Sequence, residues 1–186
     1  MNHPHPRAEF SAAAARLAGA LPTGNYASAE HFQDELQYVF RRSWINVCQE
    51  RQLPRPGDFL VQELHAIGPS VLIVRGSDDV LRAFLNVCSH RGNRVEVQAC
   101  GNKSGFTCLF HGWTYDRLGR LASVPQAEKF ATVEPARMGL KPVHLATWGG
   151  MVFICLADEP PCGIEEFLSP IRPALAEHLA DQEWHL

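Results

Sequence analysis

Two short segments, each holding one cysteine and one histidine, constrain the fold of this chain more than any other feature. The first segment pairs Cys88 with His90, and the second pairs Cys108 with His111, so the pattern is C-x-H-x17-C-x2-H. Thiolate and imidazole groups are common metal ligands in proteins. A fold that places the two segments side by side would present four ligands to one metal centre.

Glycines give both segments the freedom to turn. Gly92 follows the first pair, and Gly112 follows the second pair directly. Glycine adopts left-handed backbone angles at little cost, and its lack of a side chain allows the backbone to approach a metal closely. Each pair also lies where a predicted strand ends. We therefore predict two loops that lie side by side at the tip of a β-sandwich.

Short apolar runs separated by turns predict a mostly β domain around these loops. The segment 70–87 is typical of a hairpin that turns at Gly76–Asp79, and the segment 104–123 predicts a second ribbon that turns at Arg117–Gly119. The apolar segment 144–157 predicts one long strand. Many short strands with turns every ~8–12 residues are typical of a small sandwich or barrel.

Helical patterns flank the predicted strands. In the segment 28–44, Ser28 is a good N-cap. Apolar residues recur there at helical spacing and form one stripe, which we expect to pack on a sheet: Phe32, Leu36, Val39 and Phe40. An alanine-rich segment predicts a shorter helix that ends at Pro22, and the segment 163–186 also has a helical pattern. We divide the chain into a tail with a short helix (1–24), a β domain with its leading helix (25–160) and a helical exit (161–186).

Composition excludes several classes of protein. The net charge of −3 and the scattered basic residues give no basic face of the kind that nucleic-acid binders show, so we expect no nucleic-acid partner. No apolar run reaches the ~20 residues that span a bilayer, and the first residues do not resemble a signal peptide. We therefore expect a soluble cytoplasmic protein with no membrane partner. In that reducing compartment the six cysteines are expected to be thiols or metal ligands.

Three interpretations of the two Cys/His pairs are open at this point. The four residues could be unrelated, since lone cysteines are usually buried thiols and lone histidines usually lie at the surface. They could bind zinc, although structural zinc usually takes a Cys-x2–4-Cys knuckle and a separate histidine pair. They could bind a [2Fe–2S] centre in which two histidines replace two cysteines on one iron. The pattern favours the third interpretation, because it explains why each segment supplies one cysteine and one histidine.

The segments around the pairs resemble the Rieske domain of Rieske non-haem iron oxygenases of the ring-hydroxylating type. The shared pattern is C-x-H-R-G followed by C-x-x-H-G-W-x-Y-D. The segment 40–59 is also similar to the leading helix and first strand of that family, so the resemblance extends over about residues 25–186. It implies a Rieske-type antiparallel β-sandwich with a two-loop cluster-binding tip and flanking N- and C-terminal helices.

The resemblance also implies the cofactor and the residues that hold it. One [2Fe–2S] cluster would be bound by Cys88, His90, Cys108 and His111. Other residues of the motif would support the two loops: Arg91, Gly92, Gly112, Trp113 and Tyr115. We expect Arg91 to pair with a carboxylate, shield the first loop or simply be solvated. Trp113 would pack over the loop, and Tyr115 would either bond near a ligand cysteine or pack in the core.

Two other kinds of Rieske protein share features with this sequence. The respiratory type resembles C-x-H-x-G-C with C-x-C-H-G-S, and this chain has Asn93, Phe110 and Trp113 where that type has two disulfide cysteines and a serine. With fewer hydrogen bonds to the cluster sulfurs, we expect a reduction potential near the low end of the Rieske range, about −150 mV. Small Rieske ferredoxins share the ligands but look much shorter. A stand-alone electron carrier and a truncated, non-catalytic remnant are therefore the alternatives.

The resemblance implies a role in electron transfer that this chain would not complete alone. In that family a reductase or ferredoxin, supplied by NAD(P)H, reduces the cluster, and a second domain holds a mononuclear Fe(II) on two histidines and a carboxylate. The remaining histidines of this chain form no such motif, so we expect that iron only in a domain missing here. The large subunit would hydroxylate an aromatic ring or demethylate a small organic substrate. A homotrimer, or a hetero-oligomer with the full-length oxygenase, would be the assembly.

Overall fold

The structure, a computed structural model, describes residues 23–130 and 134–173. The chain comprises two compact units, residues 1–35 and 36–186. The described part of the first unit contains a 3-10 turn at Thr23–Ala27 and helix α1 at Ala29–Asp34. Ser28 caps α1 as predicted, because its side chain accepts a hydrogen bond of 3.3 Å from the backbone N–H of His31. The helix predicted before Pro22 lies outside the described residues.

The apolar stripe predicted over the segment 28–44 is not maintained. The α-helical hydrogen bonding ends at Asp34, and the backbone continues as a π-helical segment at Glu35–Val39 and a 3-10 turn at Phe40–Arg42. A change of helix type changes the number of residues per turn, so spacings that fit an α-helix no longer define one face. Val39 and Phe40 are 41% and 44% exposed. The prediction that this stripe packs on a sheet is therefore wrong for these two residues.

The second unit is built mainly from short strands. Within the described residues, these are β1 Ile45–Gln49, β2 Asp58–Gln62, β3 Val71–Arg75, β4 Leu81–Leu85, β5 Cys100–Asn102, β6 Gly105–Thr107, β7 Thr114–Asp116, β8 Leu121–Ser123, β9 Pro142–Trp148 and β10 Met151–Cys155. The larger sheet has the order β1-β10-β9-β4-β3-β2-β5, and the smaller sheet has the order β6-β7-β8. The pairings are antiparallel in both sheets. The mostly β, antiparallel fold predicted from the sequence is confirmed.

Strand β3 lies at the centre of the packing, because both of its faces are buried. Side chains of a strand point alternately to opposite faces. Leu72 and Val74 accordingly pack into one apolar cluster, and Val71 and Ile73 pack into another on the opposite face. The first cluster also contains Cys88 and Cys108. Two of the candidate ligands are thus part of the hydrophobic core beneath the loops.

The predicted hairpin at 70–87 is confirmed as β3 and β4, and the turn at Arg117–Gly119 is confirmed between β7 and β8. The prediction of one long strand over 144–157 is wrong. Gly149 and Gly150 adopt positive φ angles of 57° and 75°, which reverse the chain direction. As a result β9 and β10 pair as an antiparallel hairpin, with Trp148 opposite Met151.

Helix α2, at Ile164–Leu168, follows the last strand. Its Leu168 is buried against an apolar cluster that contains Trp44 and Phe153. The part of the predicted C-terminal helix beyond residue 173 lies outside the described residues. In the regions that the structure describes, no helix is long and apolar enough to cross a membrane.

Candidate metal centre

The first Cys/His segment forms a closed backbone ring, which we call loop 1 (residues 88–93). The N–H of Cys88 donates to the carbonyl of Asn93 at 2.7 Å, and the N–H of Gly92 donates back to the carbonyl of Cys88 at 2.9 Å. Gly92 has a φ of 72°, a left-handed angle that favours glycine. At the base of the loop, Val87 and Arg94 form an isolated antiparallel bridge.

The second segment, loop 2 (residues 108–113), repeats the same ring. The N–H of Cys108 donates to the carbonyl of Trp113 at 2.8 Å, and the N–H of Gly112 donates to the carbonyl of Cys108 at 2.9 Å. Gly112 also has a φ of 72°. A Cβ at this glycine would come within 2.9 Å of Pro125 Cγ, so the ring also packs closely against the following segment.

The four candidate ligands separate by depth into a thiol pair and an imidazole pair. Cys88 and Cys108 are only 3% and 2% exposed. His90 is half-buried and His111 is exposed, and the centroids of their rings lie 4.6 Å apart. The sequence predicted that the two segments would meet, and the structure places them together, with both cysteines buried and both histidines less buried than the cysteines.

The surroundings of Cys108 favour a thiolate. Burial alone would raise the pKa of its thiol, because a charge is costly in an apolar environment. Hydrogen bonds from the backbone of Phe110, the side chains of Asn93 and Cys88 and the backbone of His111 outweigh that cost and lower the pKa. A thiol that ionises readily is suited to binding a metal.

The imidazole of His90 favours its neutral form. Partial burial lowers its pKa, because a charged imidazole loses solvation there. The neighbouring His111 and Arg91 lower it further by electrostatic repulsion of a protonated His90. Neutral imidazole is the form that binds metals. Arg91 itself is exposed at the tip of loop 1.

Aromatic rings fix the orientation of both imidazoles. The ring of Trp113 is 1% exposed and stacks on His90, with centroids 4.7 Å apart and planes 7° from parallel. The ring of Phe110 lies 3.9 Å from that of His111 and is 58% exposed. Trp113 therefore packs as a buried platform against His90, whereas the contact between Phe110 and His111 lies at the surface.

Tyr115 lies beside the sulfur of loop 1. Its hydroxyl oxygen is 3.2 Å from Cys88 Sγ and accepts a hydrogen bond of 3.0 Å from the backbone N–H of Ser89. Burial and the contact with Cys88 raise the pKa of the phenol, so it keeps its proton. When Cys88 is a thiolate its sulfur can only accept, so the hydroxyl of Tyr115 is then the donor.

Asn93 makes a polar contact with Cys108 that the sequence did not predict. Its side-chain amide donates to Cys108 Sγ at 3.8 Å. Asn93 ends loop 1 but contacts the sulfur of loop 2, and Tyr115 follows loop 2 but contacts the sulfur of loop 1. The side-chain hydrogen bonds to the two sulfurs are therefore crossed between the loops. The only signal in the sequence is that Asn93 immediately follows the loop glycine.

This arrangement of donors fits a binuclear centre. Among residues 23–130 and 134–173, no three histidine, cysteine or acidic side chains are grouped to hold a single metal ion. The four donors form two pairs, and a [2Fe–2S] cluster with mixed ligands takes two thiolates on one iron and two imidazoles on the other. The fold and the site together define a mixed-ligand iron–sulfur domain.

Comparison with known proteins gives the family. Residues 43–140 match the Rieske [2Fe-2S] domain. The chain belongs to this family, whose members bind a [2Fe–2S] cluster, and the predicted membership and cofactor are confirmed.

Similar proteins of known function are large subunits of Rieske oxygenases. The chain is 35% identical over 154 residues to the glycine betaine monooxygenase oxygenase subunit of Pseudomonas aeruginosa, covering 82% of this chain and 35% of that protein. It is 33% identical over 160 residues to the large oxygenase component of the naphthalene 1,2-dioxygenase system of Ralstonia sp, covering 84% of this chain and 33% of that protein. The chain thus spans about one third of the length of these relatives.

Solved structures show the same relationship. Naphthalene 1,2-dioxygenase with indole bound in its active site has a TM-score of 0.71 and 33% identity, over 77% of this chain and 32% of that one. A quaternary ammonium Rieske monooxygenase in complex with L-carnitine has a TM-score of 0.76 and 31% identity, over 84% of this chain and 44% of that one. The antiparallel β fold is shared with both.

Proposed function

We propose that Cys88, His90, Cys108 and His111 hold one [2Fe–2S] cluster. The observation that carries this proposal is that two loops with the same backbone ring bring a buried thiol pair and a surface imidazole pair together. When bound, the cluster supplies a one-electron redox couple. Cys88 and Cys108 would hold it at the core side, and His90 and His111 would form the exposed edge that an electron-transfer partner can reach.

The supporting residues would orient these ligands and adjust the redox couple. Trp113 holds the ring plane of His90, and the loop glycines allow both rings to close. Hydrogen bonds to ligand sulfurs stabilise their negative charge, so they favour the reduced state and raise the potential. The hydroxyl of Tyr115 and the amide of Asn93 are placed for this role. Arg91 adds a positive charge beside His90.

We further propose that the chain is the electron-transfer domain of a Rieske oxygenase large subunit. Residues 25–160 would form this domain with its leading helix, 1–24 a tail, and 161–186 the link to a catalytic domain that lies outside this sequence. The chain would accept electrons from an NAD(P)H-linked reductase or a ferredoxin and deliver them to a mononuclear iron in such a domain, within a trimer or hetero-oligomer. The relatives named above support this assignment. A cytoplasmic location stays a prediction of the sequence.

The substrate class is also a proposal. The relatives named above are called a glycine betaine monooxygenase and a naphthalene 1,2-dioxygenase, so one name contains a quaternary ammonium compound and the other an aromatic hydrocarbon. We propose that the oxygenase to which this chain contributes either hydroxylates an aromatic ring or demethylates a small organic substrate. Reconstitution with a catalytic domain, a reductase and NAD(P)H, followed by product analysis on aromatic and quaternary ammonium substrates, would decide between them.

The cluster proposal is tested by analysing iron, sulfide and electron paramagnetic resonance in the purified chain. We expect about two irons and two sulfides per chain and, after reduction, the spectrum of a mixed-ligand [2Fe–2S] centre. A colourless protein that contains zinc, or no metal, would overturn the proposal. Reduction by NAD(P)H in the presence of a Rieske-oxygenase reductase would then test the electron-transfer role.

A further inference from the structure

Asn86, which precedes loop 1, has a buried side chain whose hydrogen-bonding groups are all used. Its amide donates to the carbonyl of Glu96 at 2.7 Å and to the hydroxyl of Ser70 at 3.1 Å. Its carbonyl oxygen accepts from the backbone N–H of Val95 at 3.2 Å and of Glu96 at 2.8 Å. The residue is only 2% exposed. Two donors and two acceptor sites are the full capacity of an asparagine side chain.

These contacts join the two ends of loop 1. Asn86 immediately follows β4, on the side of the chain that enters the loop, and residues 95 and 96 lie on the segment that leaves it. Between these ends, the described backbone pairing is one isolated bridge, Val87 with Arg94. The side chain of Asn86 therefore supplies hydrogen bonds between the two ends of loop 1 that a regular β-ladder would otherwise make.

A second residue connects this contact to the larger sheet. Ser70 immediately precedes β3, and its hydroxyl accepts from Asn86 and also from the guanidinium of Arg94 at 3.0 Å. The backbone carbonyl of Ser70 also accepts from the N–H of Asn86 at 2.8 Å. The segments on both sides of loop 1 are thus hydrogen-bonded to Ser70, at the start of β3.

We propose that Asn86 is the positioning residue of loop 1, and that it holds Cys88 and His90 at the place where they face Cys108 and His111. This inference rests on the proposed cluster site. Without the Asn86 side chain, the loop-1 ring can still close through its own backbone bonds, but its base loses the contacts that fix its position. The ligands of loop 1 would then be free to move relative to those of loop 2.

The test compares Asn86→Leu with a control of similar burial that lies away from loop 1. Leucine has the same branching and the same number of side-chain heavy atoms as asparagine, and it removes all four hydrogen bonds. Asp58→Asn is the control, because Asp58 is 4% exposed and accepts hydrogen bonds from Arg55 and Asn102, outside both loops. Both variants are expressed as the full chain and loaded with the cluster. Unfolding in urea is measured first, so that cluster loss can be compared at equal stability.

Two readouts separate positioning from general weakening of the fold. The first is the rate at which a chelator removes iron, for which we expect Asn86→Leu to be about tenfold or more faster than the wild type, and Asp58→Asn to be close to it. The second is hydrogen exchange, followed by mass spectrometry on peptides that cover 86–96 and 106–116. We expect a clearly larger increase in exchange in the first peptide, because Asn86 makes none of the hydrogen bonds that close loop 2.

Each outcome has a definite meaning. If Asn86→Leu releases iron no faster than Asp58→Asn at equal stability, or if both peptides exchange equally faster, the positioning role is wrong. If Asn86→Leu does not fold, Ser70→Ala decides, because it removes one hydrogen bond from Asn86 and one from Arg94 while keeping the Asn86 contacts to Glu96. If the wild-type chain itself binds no iron, the proposed function fails and the inference fails with it.

Discussion

Loops 1 and 2 have the same backbone ring but are supported in different ways. Loop 2 connects β6 and β7, so regular strand pairing leads directly into it, with Thr107 opposite Thr114. Loop 1 has one isolated bridge at its base, where the buried side chain of Asn86 joins the two ends of the loop. The same backbone ring therefore stands on a regular ladder in loop 2 and on side-chain hydrogen bonds in loop 1.

The loops also differ in where the histidine lies on the ring. In loop 1 it is two residues after the cysteine, and in loop 2 it is three residues after. The ring of His90 consequently rests on the buried Trp113 of loop 2, whereas His111 is exposed and contacts Phe110. The two imidazoles therefore meet at 4.6 Å in different environments.

The largest expected effect comes from removing a ligand sulfur from either loop. Cys88→Ser and Cys108→Ser should each abolish cluster binding, because a serine hydroxyl remains protonated where a thiolate is needed. The measurement is iron content and visible absorbance of the purified chain. Cys100→Ser is the matched control, because Cys100 is exposed on β5 and should leave both unchanged. Retention of a full cluster in either ligand variant would contradict the site.

Replacing the two loop glycines with alanine should destabilise the fold by different amounts. Gly92→Ala and Gly112→Ala both place a side chain at a φ of 72°, which costs about 1–2 kcal/mol. Gly112→Ala should cost more, because its Cβ would come within 2.9 Å of Pro125 Cγ, whereas nothing lies within 4 Å at Gly92. Urea unfolding measures both free energies. Equal losses would show that Pro125 moves aside without cost.

The crossed hydrogen bonds should have unequal effects on the reduction potential. Tyr115→Phe removes a hydroxyl 3.2 Å from Cys88 Sγ, so the reduced state is less stabilised and the potential should fall by roughly 60 mV, equivalent to about 1.4 kcal/mol for one electron. Asn93→Ala removes a longer contact of 3.8 Å to Cys108 Sγ and should lower the potential less. Redox titration measures both. A larger fall in Asn93→Ala would reverse the proposed order.

The smallest effect concerns the acid stability of the contact between β2 and β5, where Asp58 lies opposite Asn102 outside both loops. Hydrogen bonds from Asn102 and Arg55 hold the pKa of Asp58 below the ordinary value of an aspartate despite burial. Because the folded-state pKa is lowered, this carboxylate stabilises the fold above about pH 4, and the contribution is lost as the pH falls through the folded pKa. Asp58→Asn should therefore make the free energy of unfolding depend less on pH below about pH 4. An unchanged dependence would exclude this role for Asp58.

Sequence reasoning predicted those features that depend on local pattern. The two Cys/His pairs, the hairpin of β3 and β4 and the cap at Ser28 all follow from residue type and spacing along the chain. The roles of Asn86 and Asn93 could not be predicted, because their partners are set by tertiary contacts. Strand β5 could not be predicted either, because a three-residue exposed strand has no apolar alternation to reveal it.

The error at Gly149–Gly150 has a different cause. The apolar residues on both sides suggested continuity, although two adjacent glycines are a turn signal in their own right. In the structure the glycine pair outweighs the apolar run and reverses the chain, because this reversal needs residues that tolerate positive φ. Apolar runs that contain a glycine pair are therefore better interpreted as two strands.

The burial of the two thiols has a consequence for how the cofactor enters the chain. With Cys88 and Cys108 only 3% and 2% exposed, a scaffold protein that delivers iron and sulfide cannot reach the sulfur atoms in the folded state described here. Delivery from the imidazole side requires the two loops to separate first, which is a local opening with its own free-energy cost. We expect maturation to be limited by this opening, so that changes which loosen a loop would both speed loading and shorten retention.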